Sequence, residues 1–115
     1  MKTLIAALFI AAPGLAAAQT ITDRATFVSL VEGRSLSQRL FGVDLRVTGD
    51  GRIAGDAMGG TVIGSWTWDD GYFCREMTWG DRSFPLNCQR VDVDGDLITF
   101  TADRGAGDDA TLRIR

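Results

Sequence analysis

The residues best able to do chemistry gather in one stretch, "GSWTWDDGYFCREMTWG", residues 64–80. It holds Trp66, Trp68, Trp79, Tyr72 and Phe73, with Arg75, Cys74 and an acidic turn at Asp69 and Asp70. A second set, Asn87, Cys88 and Gln89, follows soon after. Aromatic faces around one arginine suit a small, partly apolar, anionic molecule. The rings bury its body, and the guanidinium makes charge-assisted hydrogen bonds to its head. Asp69 and Asp70 could instead form the acid/base pair of a carboxylate hydrolase. Neighbouring residues on a turn point apart, so a solvated turn is the better account of them.

Absences narrow the chemistry. The chain has no histidine, which removes Ser-His-Asp and Cys-His mechanisms. Its only lysine, Lys2, lies in a segment expected to be cleaved, so Schiff-base and Ser-Lys chemistry go as well. Without histidine, two separated cysteines make a poor metal site. No metal, no cofactor and no catalytic residue is expected, and the chain reads as a non-enzyme. "GDGRIAG" (49–55) spaces its glycines wrongly for a dinucleotide loop and lies between strands. "DVDGD" (92–96) lacks the ligand spacing and closing Glu of a calcium loop, so it reads as a hairpin turn.

The elements that must position these residues are mostly strands. "TDRATFVSLVEGRSL" reads as one short helix, with Thr22 as N-cap, Phe27, Leu30 and Val31 as its apolar stripe, and Gly33 as its stop. Alternating runs follow at 43–48, 52–58, 61–68, 72–79, 86–93, 96–102 and 110–115. Asp-Gly pairs at 50–51, 70–71 and 94–95 sit between such runs, the strongest short hairpin signal. "GDRSFP" (80–85) reads as a longer loop and "DRGAGDD" (103–109) as a flexible acidic one. The expectation is a mainly β fold: a small antiparallel meander barrel, closed or flattened, with a short N-terminal helix.

Period-two alternation sorts the faces. Val62, Gly64, Trp66 and Trp68 share one face of their strand; Phe73, Arg75, Met77 and Trp79 share one; Asn87, Gln89, Val91 and Val93 share one. Cys74 and Cys88 fall on the outer faces. If they pair directly, Arg75 stands opposite Asn87 and Phe73 opposite Gln89. The expected ligand site is therefore Trp66, Trp68, Phe73, Arg75, Trp79, Asn87 and Gln89, inside the barrel. A satisfied internal hydrogen-bond network, or a β-bulge that flips the register, would account for the same residues without a ligand. A protein-interaction or inhibitor module would use Tyr72, Trp79 and the acidic loops around Asp69 and Asp108.

The ends of the chain set the compartment. Lys2, an apolar run from Leu4 to about Leu15 and the small residues Ala16–Ala18 form a secretory leader with cleavage expected after Ala18. Residues 19–115 would then be a single domain, periplasmic or secreted. In an oxidising compartment Cys74 and Cys88 are most simply one disulfide. Loss of Lys2 takes the formal net charge from −3 to −4, against nucleic-acid binding. No membrane span is expected. The partner is a small partly apolar molecule or a periplasmic protein, and the chain a monomer.

At "GSWTWDDGYFCR…NCQ…GDLITF…DRGAGD" the sequence resembles a small family of exported alphaproteobacterial β-proteins of unknown function. Some members bear the label dihydrodipicolinate reductase. That enzyme needs a nucleotide-binding βαβ unit and a second domain, and this chain has neither the motif nor the length. The G-x-W at Gly64–Trp66 also resembles the first-strand signature of calycin barrels, which implies a lipocalin/calycin-like form of the barrel.

Overall fold

A computed structural model describes residues 18–115. The expected leader, residues 1–18, therefore lies almost wholly outside the described residues. Strand β1 (Gln19–Ile21) leads into helix α1 (Arg24–Val31). Then follow β2 (Leu36–Gln38), β3 (Val43–Thr48), β4 (Arg52–Ala57), β5 (Gly60–Asp69), β6 (Tyr72–Trp79), β7 (Arg82–Asp94), β8 (Leu97–Thr101) and β9 (Asp109–Ile114). Consecutive strands from β2 to β9 pair antiparallel, and β2 also pairs β9, so eight strands close into a barrel. Closure removes most of the edge that an open sheet would expose. β1 lies beside the C-terminal half of β7, with Ile21 opposite Val91. Among the described residues no helix is long and apolar enough to cross a membrane.

Alternation builds the core. Val62 and Trp66 of β5, Phe73 of β6, Val91 of β7, Ile98 and Phe100 of β8 and Leu112 and Ile114 of β9 are buried. The outward positions of β5, Thr61, Ile63, Ser65 and Thr67, are exposed. Helix α1 stops one end of the barrel. Phe27 and Val31 are fully buried beneath it. The Trp68 indole donates to the Thr22 carbonyl, and the Trp66 indole to the Thr48 carbonyl. Arg24 and Glu32 reach the carbonyl and the N–H of Gly49, in the turn between β3 and β4. The N-cap is Asp23 rather than Thr22: Asp23 is extended (φ −126, ψ 151) and its carboxylate accepts from the Thr26 N–H at 3.0 Å. Gly33, just past the helix, takes φ +74, which a glycine adopts without strain.

Two further sequence expectations need correcting. β1 and β2 are strands where none was expected; each spans three residues, too few to show a period. The "GDRSFP" segment is not a long loop. Gly80 and Asp81 form the turn and β7 starts at Arg82. The reason is a bulge: Arg75 pairs Asn87 but Met77 pairs Phe84, so Glu76 faces both Pro85 and Leu86. The extra residue reverses the alternation and turns Phe84 inward.

Candidate functional site

Cys74 and Cys88 stand directly opposite each other on β6 and β7 and form a disulfide. This register places Arg75 opposite Asn87 and Phe73 opposite Gln89, as the pairing of the cysteines requires. Cys74 lies on the outer alternation, yet it is buried.

The barrel interior holds a cavity of about 410 Å3. Its walls include Leu36, Leu45, Val47, Ile53, Met77 and Leu112. Phe73 and Phe100 close it toward the helix; both rings pack on Phe27, at 5.1 and 6.3 Å. Phe84, turned inward by the bulge, also lines it. The lining runs out past Ala102 and Ala110 to Asp108 and Asp109, both exposed at the end opposite α1.

Two polar side chains enter this apolar space from neighbouring strands. Arg75 is half-buried and donates one hydrogen bond, from Nη1 to the Pro85 carbonyl at 3.0 Å. The bulge thus explains part of its position. A guanidinium has five N–H donors, and the ion pairs among the described residues, Arg52–Asp50, Arg90–Asp92 and Arg113–Asp96, do not include it. Burial pulls the Arg75 guanidinium below its ordinary pKa, because the charged form is poorly solvated there. Gln89 is only 8% exposed and also lines the cavity. The nearby side-chain bonds join Arg75 to Pro85 and Asn87 to Asp103, and none reaches the Gln89 amide among the described residues. An unpaired buried amide is costly, of order 1–3 kcal/mol, so the Gln89 side chain is a hydrogen-bonding group open to whatever enters the cavity.

The structure divides the seven residues expected at the site. Phe73, Arg75 and Gln89 come together on the cavity. Trp66 and Trp68 pack against Phe27, at 5.2 and 5.0 Å, and seal the helix end. Trp79 donates from its indole to the Ala57 carbonyl and is covered by Arg82, with 5.6 Å from the guanidinium carbon to the ring. Asn87 exchanges two hydrogen bonds with Asp103, at 2.8 and 3.0 Å. It anchors the 3-10 turn Asp103–Gly105, in which Asp103 and Arg104 take positive φ. None of these four is among the cavity's lining residues. Asp69 and Asp70 are exposed on the turn at the helix end, away from it. The aliphatic lining from β2, β3, β4 and β9 is indistinguishable in the sequence from ordinary core.

The open rim carries a separate feature. Leu40 (82% exposed), Phe41 and Met58 stand out in solvent, and the Met58 N–H bonds the Phe41 carbonyl. No protein-family model, curated protein or solved structure matches the chain.

Proposed function

We propose that this chain is an exported small-molecule binding protein whose site is the barrel interior. One observation carries the reading: Arg75, with no carboxylate partner among the described residues, and Gln89, whose buried side-chain amide has no hydrogen bond among them, share an otherwise apolar cavity of about 410 Å3. Ligand pockets have this composition, mostly apolar with a few convergent polar groups, and this size. Export rests on the leader-like residues 1–18 and on a disulfide, which persists in oxidising compartments.

An NMR titration of the 15N-labelled mature protein with indole, a neutral apolar probe, tests the reading. Shifts should centre on Phe73, Arg75, Gln89 and Leu112, including the Gln89 side-chain amide. Shifts confined to the rim, or no shifts at all, would sink it. The exposed Leu40, Phe41 and Met58 favour a second reading, a protein-interaction module that docks by the rim. Tyr72 and Trp79 are poorer anchors for it, since both are half-buried and lie under Arg104 and Arg82.

A further inference from the structure

We infer that the ligand of this cavity is a zwitterion with one apolar side group, the chemistry of a large apolar α-amino acid. The inference rests on the binding-protein reading and names its ligand class. It begins with charge. The cavity is lined by Arg75 and, where it opens to solvent, by the exposed Asp108 and Asp109. Asp108 continues the inward alternation of β9, in which Ala110 lines the cavity and Leu112 and Ile114 are buried. Its backbone is held in register: its carbonyl accepts from the Ala102 N–H at 2.8 Å, continuing the β8–β9 ladder. Neither Arg75 nor Asp108 belongs to an ion pair among the described residues. A simple anion would satisfy Arg75 and face Asp108 with a like charge. A simple cation would do the reverse. A carboxylate and an ammonium on one carbon answer both.

Gln89 and size narrow the class further. Arg75 and Gln89 are diagonal neighbours on the inner face of β6 and β7, within reach of a shared group. A carboxylate taking two guanidinium N–H bonds has lone pairs left for the Gln89 amide. The cavity, about 410 Å3 and open at the rim, has room for the side group of a leucine- to tryptophan-sized amino acid. The side group would lie against Phe73, Phe100, Val47 and Leu112.

Isothermal titration calorimetry on the mature, oxidised protein tests this. The probes are L- and D-phenylalanine, hydrocinnamate, which lacks the ammonium, and phenethylamine, which lacks the carboxylate. One phenylalanine enantiomer should bind at least roughly tenfold tighter than either analogue, because each lost group forfeits a charge-assisted bond. Asp108→Asn should lower phenylalanine affinity to about that of hydrocinnamate. Arg75→Gln should lower it to about that of phenethylamine. Arg75 also holds the bulge, so the Asp108 variant keeps the test open if the Arg75 variant misfolds. Hydrocinnamate binding as tightly as phenylalanine, no binding of either enantiomer, or an Asp108→Asn protein with undiminished preference would each overturn the inference. Indole separates the levels: if it still maps to the cavity, only the ligand class falls, and if it does not, the binding reading falls too.

Discussion

Phe27 is fully buried, and its ring meets those of Trp66, Trp68, Phe73 and Phe100 at 5.0 to 6.3 Å. Truncation at such a site leaves a void that four rings cannot all move to fill. Phe27→Ala should cost about 3–5 kcal/mol, read as a fall in the urea midpoint. A loss under about 1 kcal/mol would mean that α1 is not the plug described above. At the other edge of the helix, Asp23 has its carboxyl held below its ordinary value of 3.8, first by the backbone N–H of Thr26 and then by its hydroxyl. The sign follows directly. A depressed carboxyl stabilises the fold above 3.8 and loses that contribution as pH falls through the lower folded value. Asp23→Asn keeps an acceptor for the Thr26 N–H but does not titrate. Its stability deficit relative to wild type should be present at neutral pH and shrink below pH 3.8. A gap constant with pH would show that the charge plays no part. Arg75 marks the limit of reading single residues. Its inward phase was plain from alternation, but its bond to Pro85 was not, because the bulge that supplies the carbonyl leaves no period of its own.

The strands explain what the sequence displayed and what it hid. Long alternating runs with Asp-Gly turns were legible, and β3 through β6 and β8 lie where the pattern put them. The inner faces of β5 and β6 were legible for the same reason. β1 and β2 were not, since a three-residue strand is fixed by its neighbours. The first half of β7 was hidden by Pro85 and the bulge, and Phe84 with it. The tryptophans were expected on the ligand, and nothing in strand periodicity indicates that a helix occupies their end of the barrel. Two tests belong at this scale. The disulfide joins residues 14 apart, a loop whose closure should be worth about 3 kcal/mol. Reduction, or Cys74→Ala with Cys88→Ala, should lower the urea midpoint accordingly, and an unchanged midpoint would contradict this. Gly64 is the tighter constraint between β5 and β6. A Cβ there would meet the Met77 Cβ and the Glu76 carbonyl oxygen at 2.5 Å, atoms fixed by the β6 backbone. Gly64→Ala should therefore cost about 1–3 kcal/mol, where an ordinary strand glycine would gain from the change.

Across the whole molecule the two ends of the barrel differ in kind. One is filled by α1 and five aromatic rings, while the other opens through Asp108, Ala110 and the 3-10 turn that Asn87 anchors. Eight-stranded barrels can pack their interior with side chains or leave room for one small ligand. Here the aromatic plug fills the helix end, and a cavity lies around Arg75 and Gln89 at the other. That this cavity binds a small molecule is the central claim. Native mass spectrometry of the protein, purified gently from its own host, tests it most directly. The account predicts a reproducible small-molecule adduct on wild type that disappears in Leu45→Trp, whose larger side chain fills the cavity wall. A bare wild-type mass with the disulfide formed, or an adduct that persists in Leu45→Trp, would contradict it.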